Sequence, residues 1–174
     1  MTAFGEEYAR GLAAHNSGDI PARMGLYGVP LEPGMTALEV GCGYGRCVEG
    51  LRARGLDAIG ADINAWLIEH LDKPYLQWGD VRDLDFADNA FDLVVCTDVL
   101  EHVAEYETAI DELVRVSRRL VYVEVTTTES RNMHLDPTHC VFLDRAGWQA
   151  ALAARAEVVG HAGGFRFLLR KRGT

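Results

Sequence analysis

Four cysteines, Cys42, Cys47, Cys96 and Cys140, are all the sequence carries, and no two of them stand in a C-x-x-C pair. This spacing excludes a zinc knuckle and a disulfide framework, and it points to free thiols in a reducing compartment. Long apolar runs are also missing. Nothing reaches the ~18 residues needed to span a bilayer, and no charged segment followed by an apolar core opens the chain. The expectation is a soluble, cytoplasmic protein with no membrane partner. Positive charge is in deficit, with 17 Lys and Arg against 26 Asp and Glu and a net charge of −9. Such a surface repels a phosphate backbone and makes nucleic acid a poor partner. Internal repeats and low-complexity tracts are absent. What remains is ordinary globular composition, 48% hydrophobic and 25% charged over 174 residues, enough for one continuous core.

The stretch that organises the chain is Thr36 to Arg46, T-A-L-E-V-G-C-G-Y-G-R. Its apolar first half follows the turn signal Pro33-Gly34 and reads as a buried strand. Its second half places Gly41, Gly43 and Gly45 at alternate positions, letting the chain turn sharply and bring bare backbone against a ligand beneath a helix start. The dinucleotide fingerprint is G-x-G-x-x-G facing a pyrophosphate. Here the spacing is G-x-G-x-G, and Glu39 two residues upstream opposes a pyrophosphate and favours a cationic ligand. A glycine-rich turn without a ligand is the plain alternative.

The rest alternates strand and helix. Upstream, Phe4, Tyr8, Leu12 and Ala13 recur at helical spacing, and Pro21 opens a short helix ending before Gly28. Val48, Leu51 and Ala53 give the first core helix its inward face, with Gly55 at its C-terminus. Leu56 to Asp62 is the second strand, and the carboxylate at its end suits the hydroxyls of a ribose, a role compatible with capping a helix from Ile63 to Leu71 at the same time. Tyr75 to Trp78 is the third strand and leads into Gly79-Asp80-Val81, with Trp78 either stacking near a ligand or packing in the core. Phe91 to Thr97 reads as a central parallel strand followed by Asp98-Val99-Leu100-Glu101-His102-Val103. A helix through Thr108, Ala109, Leu113 and Val116 ends in Arg115, Arg118 and Arg119, and Leu120 to Val125 is the fifth strand. Asp144 caps a helix from Arg145 to Ala154. Ala156 to Ala162 and Phe165 to Leu169 form a hairpin about Gly163-Gly164, and Arg166, Arg170, Lys171 and Arg172 read as a solvated strand end. Alternation of this kind specifies a parallel sheet with helices on both faces and ligands at the carboxyl ends of the strands.

E-V-G-C-G-Y-G, the terminal Asp62, Gly79-Asp80 and F-D-L-V-V followed by L-E-H-V together resemble the ordered motifs of class I S-adenosylmethionine-dependent methyltransferases, in their small-molecule branch. The resemblance covers roughly Met35 to Arg170. It implies a doubly wound α/β fold, a Rossmann-like sheet of seven strands in the order 3-2-1-4-5-7-6 with an antiparallel closing hairpin. It implies one domain over 1–174, in which 1–33 folds over the site, with Tyr8, His15 and Tyr27 placed either in the pocket or in ordinary packing. It implies S-adenosyl-L-methionine as cofactor, held by Glu39, Gly41, Cys42, Gly43, Gly45, Asp62 and Ile63. Gly79, Asp80 and Val81 would meet adenine, and Cys96, Thr97 and Asp98 the methionine part.

His102 is then either a base near the acceptor or a cap for the next helix. His134 and His139, the other two candidate catalytic bases, stand in the polar stretch Thr126 to Phe142, whose H-L-D-P-T-H is similar to a segment of some methyltransferases of sugar and cell-surface polymer biosynthesis and reads equally as a crossover turn. No third ligand is spaced to join these two histidines, so no metal is expected. The chain lacks both the N/D-P-P-Y/F stretch of amino-methylating nucleic-acid enzymes and a Pro-Cys nucleophile. The expected activity is methyl transfer to O or N of a small-molecule or glycan acceptor. The alternative is a non-catalytic cofactor-binding subunit. Its short length for the fold suggests a pocket completed by a homodimer mate, a partner chain or a large acceptor.

Overall fold

The computed structural model describes residues 6, 7, 10, 19–130, 133–163 and 165–173. The expected helix through Phe4, Tyr8, Leu12 and Ala13, and the placement of His15, lie outside them. The described elements run α1 (Ile20–Leu26), β1 (Thr36–Val40), α2 (Arg46–Arg52), β2 (Asp57–Asp62), α3 (Ala65–Leu71), β3 (Leu76–Trp78) and β4 (Phe91–Thr97). After a short 3₁₀ turn (Leu100–His102) follow α4 (Tyr106–Val116), β5 (Ser117–Glu124), α5 (Arg145–Arg155), β6 (Glu157–Ala162) and β7 (Arg166–Arg170). They build one seven-stranded sheet in the order β3-β2-β1-β4-β5-β7-β6. β1 to β5 pair in parallel, and β7 inserts antiparallel between β5 and β6.

Period-2 alternation in the central strands feeds two cores, one on each face of the sheet. On β4, Val94 and Cys96 join Ile110 and Leu113 of α4 and Trp148 and Leu152 of α5. Leu93 and Val95 join Val48 and Leu51 of α2 and Met24 of α1 on the other face. The near-continuous apolar run of β4 is thus the sequence signature of a strand covered on both sides.

Helix ends follow local chemistry. Asp19 accepts from the Ala22 amide at 2.8 Å and starts α1 with Pro21 in its first turn. Asp144 does the same for α5 through the Gly147 amide at 2.7 Å. Two expectations need correction. Asn64, and not Asp62, caps α3, its side chain accepting from the Leu67 amide at 3.1 Å. And β5 begins at Ser117, so Arg118 and Arg119 are strand residues. The strand starts early because Ser117 Oγ donates to the Leu120 carbonyl at 3.0 Å and Arg118 is drawn to Asp92 of β4 at 2.8 Å.

The segment before β1 is clamped to the sheet by charge. Arg23 on α1 donates from Nε and Nη2 to the two oxygens of buried Glu124, at 3.1 and 2.9 Å. Tyr122 Oη donates to the same carboxylate at 2.6 Å, and Arg166 lies 3.2 Å away. Arg166 is therefore part of a buried network. Lys171 is also engaged, donating to Asn89 Oδ1 at 2.6 Å, while Arg170 reaches Glu157 at 3.5 Å. No described helix is long and apolar enough to cross a membrane.

Candidate functional site

A cavity of about 440 Å³ opens at the carboxyl ends of β1, β2 and β4, within the size range of about 300–1,000 Å³ usual for small-molecule sites. Parallel strands point their free ends there, and each of the three turns out of the sheet with a residue the sequence singled out. Of the predicted positions, Glu39, Gly41, Cys42, Gly43, Asp62, Ile63, Gly79, Asp80, Val81, Thr97, Asp98 and His102 line this one cavity.

The three glycines divide their work. All have positive φ, at 74°, 49° and 75°. A Cβ on Gly41 would lie 2.2 Å from Val99 Cγ2, and one on Gly45 would lie 3.0 Å from Leu76 Cδ1. These two let the loop pack against its neighbours. Only Gly43 faces open space, with nothing within 4 Å of its Cβ position. Gly45 is the N-cap of α2 and does not line the cavity; Gly41 and Gly43 line it, and of the three Gly43 alone is in open space.

Two buried carboxyl groups face the cavity. Glu39 is 3% exposed and accepts from the Val48 amide at 3.1 Å. Burial pushes it up to about 8, against the opposing hydrogen bonds from Cys47 and Val48. Asp62 is 9% exposed; its Oδ2 accepts from the Gly43 amide and its Oδ1 from the Asn64 amide, both at 2.8 Å. Burial raises its pKa too, opposed by those two amides. Each oxygen retains a second lone pair for a ligand hydroxyl. A cation entering the cavity would favour the ionised form of both groups.

Asp80 is different. Arg82, two residues on, hydrogen-bonds it at 2.6 Å and holds its carboxyl below the usual range. Arg82 also reaches Glu105 at 3.2 Å, so a three-residue bridge runs along the cavity wall from the β3 loop to the start of α4. Sequence reasoning missed the Arg82–Glu105 contact because it joins segments 23 residues apart. Ile20 and Cys140, from α1 and the post-β5 loop, were missed as lining residues for the same reason.

Other expectations fall away from the cavity. Cys96 is fully buried in the core of β4 and only its strand neighbours Thr97 and Asp98 reach the cavity. Trp78 is 56% exposed and donates from Nε1 to the Ile63 carbonyl at 3.1 Å; it neither lines the cavity nor belongs to the core. Tyr27 packs beneath Arg166 at 5.7 Å and is also outside the cavity.

The histidines separate. His134 stacks on Phe142 at 6.0 Å, outside the cavity. His102 does not cap α4, whose N-cap residue is Glu105 without a side-chain bond. The 3₁₀ turn instead sets His102 in the cavity wall, with Nδ1 2.8 Å from Thr138 Oγ1 and its ring 4.6 Å from that of His139. Burial, then the neighbouring His139, lowers the His102 pKa. His139 does not itself line the cavity; it stands behind His102 and donates from Nδ1 to the Met133 carbonyl at 2.7 Å.

Comparison with known proteins gives this arrangement a family. Residues 38–123 match the family described as "Methyltransferase domain". A sterol 24-C-methyltransferase of Gibberella zeae is 28% identical over 125 residues, 66% of this chain and 31% of that protein. The ubiquinone biosynthesis O-methyltransferase of Methylococcus capsulatus is 32% identical over 94 residues, 49% of this chain and 40% of that protein. The chain thus spans well under half the length of these curated relatives. Among solved structures, a complex of the Haloferax volcanii Trm112 methyltransferase activator with a methyltransferase aligns at a TM-score of 0.73 and 19% identity, covering 88% of this chain and 74% of that one. With the strand order 3-2-1-4-5-7-6 and the glycine loop at its centre, residues 38–123 carry the methyltransferase domain of the class I S-adenosylmethionine-dependent methyltransferases, a family whose cofactor is S-adenosylmethionine.

Proposed function

We propose that this chain transfers a methyl group from S-adenosylmethionine to an oxygen or nitrogen of a small-molecule or glycan-type acceptor. The observation that carries the reading is the convergence of Glu39, Gly43 and Asp62, from two strand ends and the loop between, on one cavity. The residues fit the cofactor. Gly43 offers open backbone, Asp62 has lone pairs for ribose hydroxyls, and Glu39 supplies a buried carboxyl for the ammonium of the methionine part. Gly79, Asp80 and Val81, which line the same cavity together with Ile63, are our candidates to hold adenine. When bound, the cofactor supplies a methyl group on a sulfonium, an electrophile that needs no acid.

The chain's own part is alignment and exclusion of water. Val99 and Val103 supply an apolar surface, and Ile20 brings the N-terminal segment to the same cavity. This supports the reading that residues 1–33 help cover the site. For a hydroxyl acceptor, His102 is our candidate to take a proton, since it lines the cavity and burial favours its unprotonated form.

The test is incubation with S-adenosylmethionine and a panel of hydroxyl and amine acceptors, with S-adenosylhomocysteine and methylated product read by mass spectrometry. Product formation supports the enzyme. Tight cofactor binding with no turnover across the panel and in the presence of candidate partner chains favours the reading as a non-catalytic cofactor-binding subunit.

A further inference from the structure

Behind the part of the cavity wall formed by His102, three side chains from two separate segments come together. One ligand-type atom each of Glu101, His102 and His139 lies within 4.8 Å of the other two. The expectation of no metal rested on the linear spacing of His134 and His139. The fold instead separates those two and delivers His139 to Glu101 and His102.

The scaffold around the three is fully specified. Glu101 is completely buried, its Oε1 accepts from the Thr126 amide at 2.7 Å, and its backbone carbonyl accepts from the amides of Cys140 and Val141 at 2.9 and 3.1 Å. The 3₁₀ turn and the His139 loop are thereby stitched together at one residue. Both imidazoles are oriented by what their Nδ1 atoms touch. His139 Nδ1 faces a carbonyl and must donate to it. Thr138 Oγ1 gives its proton to Asp136 Oδ1 at 2.5 Å, and so accepts from His102 Nδ1 at 2.8 Å. In the tautomers these contacts select, Nδ1 carries the proton of each ring and Nε2 is the nitrogen that can ligate. A carboxylate acting through a hydroxyl on a histidine is the kind of outer support that metal-ligating imidazoles use.

One atom in this cluster has no local explanation. Glu101 Oε2 is buried and makes no hydrogen bond among the described residues. A buried carboxylate oxygen left without a partner is costly. An imidazole nitrogen that carries no proton cannot relieve it. A cation can satisfy Glu101 Oε2 and take the two imidazoles as its further ligands.

We propose that Glu101, His102 and His139 bind one divalent first-row transition cation, with its open position turned toward the cavity through His102 and available to an acceptor oxygen. Two imidazoles and a carboxylate suit zinc, cobalt, iron or manganese better than magnesium, which prefers oxygen alone. Bonds of about 2.1 Å require ligand atoms roughly 3–4 Å apart, so a small inward shift closes the site. An acceptor hydroxyl on such a cation loses its proton to solvent more readily than a free one. The proposal deepens the methyl-transfer reading, with the cation that His102 ligates through Nε2 taking over from His102 the task of activating the acceptor hydroxyl, and it rests on that reading only for the identity of the incoming oxygen ligand.

The experiment uses tag-free protein stripped with a chelator, titrated with Co²⁺ and followed by visible absorption, then with Zn²⁺ and followed by elemental analysis after gel filtration. No cofactor or acceptor is added. The expected result is one cation per chain, with affinity reduced at least about tenfold in both Glu101→Gln and His139→Gln and unchanged in His134→Gln. Circular dichroism of each variant shows whether it is folded; Asp136→Asn, which leaves the three ligands in place, is the second test, expected to weaken the affinity less than either ligand variant does. No stoichiometric uptake by the folded wild-type chain overturns the proposal, as does uptake that the ligand variants leave unchanged. Cofactor binding measured on the same stripped protein reports separately on the methyltransferase reading.

Discussion

Asp62 Oδ2 accepts the Gly43 amide proton at 2.8 Å, so the carboxylate at the end of β2 holds the one loop glycine that faces open space. Its other oxygen takes the Asn64 amide, and Asn64 in turn caps α3. One side chain therefore fixes the entrance loop and the next helix together. In Asp62→Asn a single amide oxygen must serve two donors, and its NH₂ opposes one of them. The expected outcome is faster amide hydrogen exchange at Gly43, by roughly ten- to a hundredfold if a bond worth about 1–3 kcal/mol is lost. Unchanged exchange at Gly43 would contradict the role.

The glycine loop predicts two unlike alanine variants. Gly41→Ala places a methyl 2.2 Å from Val99 Cγ2 at φ 74°, so steric overlap adds to left-handed strain. Urea denaturation should show a loss of about 2 kcal/mol or more, with partial recovery in the double variant with Val99→Ala. Gly43→Ala has room and should lose only about 1–2 kcal/mol, while its methyl intrudes on the cavity and weakens cofactor binding.

Glu39 sets a pH dependence. Its ordinary value is 4.5 and burial holds it near 8 in the folded chain, so between these values the native state carries a proton the unfolded state has lost. The stability this contributes is present in full below about 4.5 and is lost as pH rises through about 8, at up to about 1.4 kcal/mol per pH unit. Thermal melts between pH 5.5 and 8.5 should fall more steeply in the wild type than in Glu39→Gln. At pH 7 a bound ammonium ionises Glu39, so cofactor binding should release close to one proton, seen as a dependence of titration heat on buffer. The variant should release none.

These predictions rest on parts of the site that were legible in the sequence to different depths. The strands were readable because apolar runs such as Phe91 to Thr97 are buried on both faces, and the cavity residues because they sit within two or three positions of strand ends. Boundaries decided by distant partners were not. Ser117 begins β5 because Arg118 meets Asp92 of the neighbouring strand, a contact no local pattern encodes. The different tasks of Gly41, Gly43 and Gly45 depend on Val99 and Leu76, far along the chain. His102 next to His139 is likewise a product of the loop after β5, although Asp136, Thr138 and His139 were visible as a polar cluster.

The clamp on α1 gives a fourth prediction. Glu124 gathers Arg23, Arg166 and the Tyr122 hydroxyl, and Glu124→Gln would leave two guanidinium groups around a neutral amide. Because both arginines are about one-fifth exposed, the loss is discounted from that of a fully buried pair to about 2 kcal/mol. Limited proteolysis should cut near α1 faster in the variant, and cofactor affinity should fall as Ile20 leaves the cavity wall.

The central claim, that this cavity holds S-adenosylmethionine, is tested most directly by isothermal titration of the purified chain with S-adenosylmethionine and S-adenosylhomocysteine, beside Asp62→Ala. The expected result is one molecule bound per chain by the wild type and affinity reduced at least about tenfold in the variant. No binding of either compound by the folded wild-type chain, or equal affinity in Asp62→Ala, would contradict it.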